Sequence, residues 1–551
     1  MVHETSVLVG GKAGEGINSA GMVVAQLLNR LGYYTFMYYD YPSLIRGGHN
    51  FAIIRASDRQ IGIHRDAVDY VLALNQETLE RHEDRFDERT VRIFNSDVVR
   101  DEGQGVSVSE SLKAENAPAI MGNSTVIGAF AKAAGIPWDT VVNVFTRHLP
   151  KGTQQNLAVA KRGYDQVAAV NPITPVGDRC CSLVSGNEAA GLGLVAGGIT
   201  AYVAYPMTPS SGLLHFLAEN AWNFGVSVVH PENEIAVILM ALGYSYAGRR
   251  AAVGTSGGGF CLMTEGLSLA GMAEIPIVIF VSQRTGPSTG LPTYTAQSDL
   301  RFILNAGQGE FPRFVAAPGD AGQAYYWSAV AADMAWRYQV PAFILADKTL
   351  SEGMYSIDLE KLPMFKTGAY HAWDGMEQYR RYAYTDSGIS PLAFPGAAGA
   401  IVKVNGYAHD ASGITTEDGG IVSQMTKKRL LKGENLAAGL KDYDTVDLAG
   451  VPSAETAVIC WGSVRGACLE ACEALGIRMV QPVVLSPFPD QKLRESLKGA
   501  RRVIVVEENA TGQLAALLRL GGFQVDATIL HYDGRPLTPD LLKAHLKEVL
   551  Q

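Results

Sequence analysis

The sequence predicts an α/β protein built on three doubly wound, parallel-sheet domains. Apolar runs of strand length alternate with helical stretches along nearly the whole chain, the pattern of repeated βαβ units. The 551 residues suffice for roughly three to four domains. Apolar residues make up 47% and charged residues 18%, which permits large cores and argues against wholesale disorder.

The first domain is expected over residues 1–175. Ser6-Val7-Leu8-Val9-Gly10 reads as a buried strand, Gly11 to Gly16 as a glycine-rich turn, and Ile17 to Leu31 as a helix that Gly32 ends. Tyr34–Asp40, Val68–Leu74 and Val91–Phe94 read as further strands, Asn123–Ala134 and Thr140–Phe145 as helices, and the polar Asn171–Arg179 as a linker. The second domain, 183–370, contains the apolar run Leu194–Tyr202 (a strand with its approach), the helix Ile235–Tyr246 and the strands Ile277–Val281 and Ala342–Ala346. Residues 371–444, rich in Gly and Tyr, are expected to wrap other domains rather than fold alone. In the third domain, 445–551, Thr456–Trp461, Met479–Val484 and Arg502–Glu507 form a small parallel sheet.

Composition narrows the function. The net charge of −9 comes without a long basic block, which argues against nucleic acid as the main partner. Met1–Ser6 is polar, so no signal peptide is expected. No apolar run reaches the ~20 residues of a membrane span, and the expected location is cytoplasmic. The six cysteines form no C-x-x-C pair, so neither an iron–sulfur cluster nor a structural zinc is expected in this chain. Cys468 and Cys472, four apart, read as core residues on one helix face.

In open α/β sheets, ligands bind beyond the carboxyl ends of the strands. Three segments of the second domain end that way. Tyr205-Pro206-Met207-Thr208-Pro209-Ser210-Ser211 offers hydroxyls, with Ser210 or Ser211 placed to cap the next helix. Gly254-Thr255-Ser256-Gly257-Gly258-Gly259 serves either close packing or a close backbone approach to a ligand; it lacks the ending of a phosphate-binding P-loop. The strand from Ile277 ends in Ser282-Gln283-Arg284, an arginine fork suited to a substrate carboxylate. Glu234 opens a helix that is apolar almost all round and therefore expected to be buried. An acid there is ordinarily a capping or dipole partner, but Glu232 can fill that role. Thiamine diphosphate uses a buried glutamate of this kind, bonded to the ring nitrogen of its aminopyrimidine.

Five separated motifs carry a resemblance. They are Gly186-Asn187-Glu188-Ala189, Tyr205 to Ser211, Glu234-Ile235-Ala236, Thr255 to Phe260, and Gln283-Arg284-Thr285-Gly286-Pro287-Ser288-Thr289-Gly290-Leu291-Pro292-Thr293. In this order they resemble the pyrimidine-binding domain of the alpha subunit of 2-oxoacid:ferredoxin oxidoreductases, closest to the 2-oxoglutarate type. The resemblance implies that Glu234 activates the cofactor and that Thr208, Arg284 and Ser210 contact the substrate. It places Tyr205, Pro206, Ser256 and Gly257 against the cofactor. Met207 stands where the family often has isoleucine, and Gly258 where it often has proline.

The first domain resembles the family's gamma domain, through Gly14-Glu15-Gly16 and Tyr41-Pro42-Ser43-Leu44-Ile45-Arg46-Gly47-Gly48-His49. That implies a cover for coenzyme A, with Arg46 and His49 either near it or on a solvated loop. Glu15 departs from the usual Gly-Gln-Gly. A dinucleotide-binding unit with Asp40 on a ribose is the competing reading, though the glycine spacing differs from G-x-G-x-x-G. The third domain resembles the transketolase-C-like scaffold, through Leu485-Ser486-Pro487-Phe488-Pro489 and Glu507-Glu508-Asn509-Ala510-Thr511-Gly512-Gln513-Leu514. Gly406-Tyr407-Ala408-His409-Asp410 extends the match into the wrapping segment.

Thiamine enzymes hold the diphosphate through magnesium at a G-D-G motif, and Gly319-Asp320-Ala321-Gly322 is the nearest approach here. The resemblance therefore implies a beta subunit carrying the diphosphate site, Mg2+ and a [4Fe-4S] cluster, in an (alpha-beta)2 heterotetramer that reduces ferredoxin. The implied reaction is reversible, coenzyme A-dependent oxidative decarboxylation of a 2-oxo acid. 2-Oxoglutarate is favoured, with pyruvate, branched-chain or broad-range substrates as alternatives. A non-redox thiamine decarboxylase or synthase and a non-catalytic scaffold subunit are the other readings.

Overall fold

The computed structural model describes residues 3–43 and 47–551. The chain forms two compact units. The first holds the chain up to Ser185 together with Glu352–Lys361 and Thr538–Ala544; the second holds Gly186–Ser351, Leu362–Leu537 and His545–Gln551. Three α/β-covered sheets carry the fold. No described helix is long and apolar enough to cross a membrane.

The first unit has an eight-stranded sheet in the order Gln104–Val106, Val91–Asn95, Tyr70–Ala73, Glu4–Lys12, His49–Ser57, Tyr34–Asp40, Met354–Ile357 and Ser182–Ser185. The first four strands run parallel; from Glu4–Lys12 onward every neighbour is antiparallel. The sequence reading gave Tyr34–Asp40 its true bounds but missed His49–Ser57, which returns between two expected strands. Glu15 folds back over the glycine turn, its carboxylate accepting the Lys12 N–H at 2.7 Å. Gly16, at φ 72°, then turns the chain into the helix Ile17–Arg30. The Glu15 carboxylate thus closes its own turn.

Two helices of this unit, Gly122–Ala133 and Thr153–Gln166, approach closely because glycines face carbonyls. A methyl on Gly128 would run into the Ala160 carbonyl, and one on Gly163 into that of Thr125. Neither obstacle is a side-chain end that could swing away. We expect Gly163→Ala to destabilise this unit by about 2–3 kcal/mol. Calorimetry should show a melting transition lowered by roughly 5–10 °C; an unchanged melt would mean the helices have slack.

The second unit carries two sheets. The seven-stranded one runs Val484–Ser486, Phe314–Ala316, Pro341–Asp347, Ile277–Gln283, Ala251–Thr255, Ala201–Ala204 and Ser227–Val229. All neighbours are parallel except Val484–Ser486 on the edge. Ile277–Gln283 and Pro341–Asp347 are buried along their whole length, as strands covered on both faces must be. The run Leu194–Tyr202 is not one strand with its approach. Its start ends the helix Gly186–Ala196, and the strand begins at Ala201.

The five-stranded sheet, Val446–Gly450, Arg478–Pro482, Thr456–Ile459, Arg502–Glu507 and Ala527–Leu530, is parallel apart from its first edge strand. Trp461, Val480 and Val505 share one core with Val203, Ile279 and Phe343. Arg465 ties the same layers together, reaching Asp320 at 3.0 Å and Asp447 at 2.8 Å. Cys468 and Cys472 are buried on the helix Arg465–Leu475.

The wrapping segment is irregular from Leu362 to Asp418 and then forms the helix Gly419–Gly439, 21 residues long. A buried ion cluster docks it. Lys428 lies 2.8 Å from a Glu274 carboxylate oxygen, Lys432 meets the same oxygen, and Arg381 donates to the Glu274 carbonyl at 2.6 Å. Burial pushes the Glu274 carboxyl up, but Lys432 and Lys428 outweigh it and hold the group below its ordinary value.

Candidate active site

The strand order of the seven-stranded sheet opens a crevice. From Ala201–Ala204 the chain moves outward to Ser227–Val229, then crosses back to Ala251–Thr255 on the other side. The loops leaving Ala204 and Thr255 therefore diverge, which is the topological switch point where α/β sheets bind ligands. Tyr205–Ser211 and Ser256–Gly259 leave from these two ends, and Arg284 follows the next strand over.

Glu234 begins the helix Glu234–Tyr246 and is only 3% exposed. Its Oε1 is buried without a hydrogen-bond partner. The helix is capped by Asn233, whose side chain accepts the Ala236 N–H at 3.0 Å. The ordinary role assigned to Glu232 thus belongs to Asn233, while Glu232 is exposed. Glu234 is spared any capping duty. Its carboxylate lies against Gly259, where a methyl would come 2.5 Å from Oε1 and would collide with the Thr255 hydroxyl.

Three more polar groups converge here. The hydroxyls of Thr255 and Ser256 are buried and unpartnered. Ser256 occupies the N-cap of the helix Gly257–Ala273 but makes no capping bond. Asp299, which the sequence reading missed, packs its carboxylate onto the Cα of Gly257. Burial pushes the Asp299 carboxyl up to about 6. It lies far along the chain from Gly257, so only the fold reveals the approach; the one sequence signal was its place just beyond the Gln283–Thr293 motif.

The substrate candidates also meet. Arg284 donates from Nη1 to the Thr208 carbonyl at 2.9 Å. It is half-buried, and desolvation lowers its pKa from the ordinary arginine value. Ser210 is buried and donates its hydroxyl to the Met207 carbonyl at 2.7 Å. It sits at the N-cap of Ser211–Glu219, yet makes no capping bond there. Tyr205 is exposed, its ring edge-on to His230 at 5.7 Å, and Pro206 is half-buried beside it.

His49 lies in the first unit. It is buried rather than on a solvated loop, with Nε2 at 3.0 Å from His82 Nε2, and burial lowers its pKa. Arg46 lies outside the described residues. The Gly319–Gly322 segment is a helix start: Asp320 accepts the Gln323 N–H at 2.8 Å and pairs with Arg465.

The expectation of a fully buried helix behind Glu234 is corrected. Ile235, Leu239 and Met240 are 46%, 42% and 45% exposed, and Leu262 on the neighbouring helix is exposed too. Apolar side chains thus face outward on both helices that begin at the crevice.

The chain is similar to known proteins. Residues 193–427 fit the family described as pyruvate flavodoxin/ferredoxin oxidoreductase, thiamine diphosphate-binding, and residues 6–166 fit pyruvate ferredoxin/flavodoxin oxidoreductase. The 2-oxoacid:ferredoxin oxidoreductase subunit alpha of Saccharolobus solfataricus is 30% identical across 99% of this chain and 98% of its own. The 2-oxoglutarate oxidoreductase subunit KorA of Mycobacterium tuberculosis is 33% identical over 62% of this chain and 53% of its own. A structure of 2-oxoglutarate:ferredoxin oxidoreductase from Magnetococcus marinus, with 2-oxoglutarate, coenzyme A and succinyl-CoA bound, superposes over 100% of both chains with a TM-score of 0.91 and 29% identity.

Proposed function

The chain belongs to the alpha subunits of the 2-oxoacid:ferredoxin oxidoreductases, and from that premise we propose that it supplies the aminopyrimidine half of a thiamine diphosphate site acting on 2-oxoglutarate. The observation that carries this reading is the unpartnered Oε1 of Glu234, buried beside the unpartnered Thr255 hydroxyl at a point where only a glycine, Gly259, leaves both groups room. Such a group costs stability unless a ligand satisfies it, and a ring nitrogen fits it.

Thiamine diphosphate, when bound, supplies the nucleophilic carbon and the electron sink for decarboxylation. Glu234 holds the proton shared with the ring nitrogen at Oε1. Arg284 and the Thr208 hydroxyl receive the carboxylate of the 2-oxo acid, a charge-assisted contact that fixes its orientation. Ser210 serves the substrate indirectly, by shaping the turn that presents Thr208.

The diphosphate, Mg2+, a [4Fe-4S] cluster and the ferredoxin contact belong, in this reading, to a beta subunit within a cytoplasmic (alpha-beta)2 assembly. Two observations support that division. Asp320, the nearest acid to a diphosphate motif, is spent on a helix cap and Arg465. The apolar side chains of Ile235, Leu239, Met240 and Leu262 give a partner a surface to cover. Coenzyme A, bound in the Magnetococcus structure, is the proposed acyl acceptor, and His49 is the first unit's candidate contact for it.

The test is dye-coupled turnover of the chain co-purified with its partner, using 2-oxoglutarate, pyruvate and 2-oxoisovalerate. 2-Oxoglutarate is expected to give the highest kcat/KM; a higher value for either other acid overturns the substrate assignment. Product without dye reduction would favour a non-redox thiamine enzyme. Arg284→Ala is expected to raise the 2-oxo acid KM at least roughly tenfold, and an unchanged KM removes it from the site.

A further inference from the structure

The turn Tyr205–Ser211 exposes three consecutive carbonyls, and each is claimed by a different side chain. The Ser210 hydroxyl donates to Met207 at 2.7 Å, Arg284 Nη1 donates to Thr208 at 2.9 Å, and Asn187 Nδ2 donates to Pro209 at 2.9 Å. The first bond is internal to the turn and the second comes from a strand end. The third comes from the helix Gly186–Ala196.

That helix has no room to shift. A methyl on Gly186 would strike the Leu350 carbonyl, one on Gly193 the Tyr325 carbonyl, and one on Gly191 would lie 2.8 Å from the Phe216 ring. Asn187 is itself wedged against Gly212, where a methyl would sit 2.7 Å from Nδ2. The donor is therefore delivered from a rigid frame.

Asn187 does not serve packing well. It is buried, and its Oδ1 has no partner. An apolar side chain would remove that unmet acceptor but would leave the buried Pro209 carbonyl without its donor. The amide is therefore kept for the one bond it makes to the turn.

We propose that Asn187 is a positioning residue for the 2-oxo acid: by holding the Pro209 carbonyl from a fixed helix, it sets the Thr208 hydroxyl and the Arg284 guanidinium at the substrate carboxylate. This inference rests on the reading of Thr208 and Arg284 given above. Without the bond, the buried Pro209 carbonyl must find another donor and the turn must move. Thr208 and Arg284 move with it, because Arg284 is bonded to the neighbouring carbonyl.

The test uses the co-purified complex. Asn187→Ala is expected to raise the 2-oxo acid KM by about tenfold while kcat falls less than about threefold and the coenzyme A KM stays unchanged. Asn187→Asp is the sharper variant. Its side chain has the same size but donates only when protonated, and burial favours protonation. Its KM should be raised at about pH 8 and return toward the wild-type value at about pH 6, while the ratio for Asn187→Ala stays flat. An Ala variant within about twofold of wild type, or an Asp variant without recovery at low pH, overturns the proposal. Should the Ala variant fail to assemble, the pH dependence of the Asp variant decides alone. Arg284→Ala separates the two levels: if it too leaves KM unchanged, the site reading fails; if it behaves as predicted and Asn187 does not, only the brace fails.

Discussion

Replacing Glu234 by Gln is expected to cut turnover by roughly 10²–10⁴-fold, the range for loss of a positioned proton-transfer group, without lowering the melting temperature. Both halves follow from the local geometry. Gln keeps the size of the side chain, and Asn233 rather than Glu234 caps the helix, so nothing structural depends on the acid. The amide keeps polar atoms in the same place but removes a buried acid, which is the costlier group to bury, so stability should be equal or higher. Loss of activity with retained or raised stability marks a residue kept for chemistry. Dye-coupled turnover and a thermal melt of the same preparation check this; turnover within about threefold of wild type would remove Glu234 from its role.

Gly259→Ala is expected to cost roughly 10²-fold in turnover by moving Glu234 rather than removing it. The added methyl would stand 2.5 Å from Oε1 and overlap the Thr255 hydroxyl. Both obstacles are side-chain ends, so the fold survives and the carboxylate swings aside. Gly258 is the internal control. A methyl there meets only the Ser288 carbonyl at 3.8 Å, and Ala is the better helix former by up to about 1 kcal/mol. Gly258→Ala should therefore be as active as wild type and no less stable. Equal activity of the two alanine variants would show that the Glu234 position is not decisive.

The legible parts of this chain are those where local and tertiary signals agree. Ile277–Val281 and Ala342–Ala346 are continuous apolar runs and lie within the fully buried central strands Ile277–Gln283 and Pro341–Asp347. Glu234 stood out because an acid before an apolar helix has few uses. The helix Gly186–Ala196 was hidden because glycine disfavours helices; it forms because those glycines let it press against neighbouring carbonyls. Gly419–Gly439 was hidden because its buried face includes Lys428 and Lys432, whose burial depends on Glu274 far away in sequence. His49–Ser57 was hidden because strand alternation suggests parallel crossovers, whereas it returns antiparallel. Asn233 and Asp299 needed coordinates: a one-residue shift in the cap, and a carboxylate brought to Gly257 across the crevice, leave no periodic trace.

The strand Met354–Ile357 lies inside the first sheet, joining Tyr34–Asp40 to Ser182–Ser185. A ribosome releases those two long before it has made their shared neighbour. Throughout that interval the nascent sheet shows a bare edge, the kind of surface that recruits other chains. Most of the Gly186–Ser351 segment must emerge before the gap closes, and the Thr538 hydroxyl that donates to Asp66 arrives later still. In this polypeptide the order of synthesis is therefore not the order of completion, and the N-terminal segment up to Ser185 is the natural client for a chaperone.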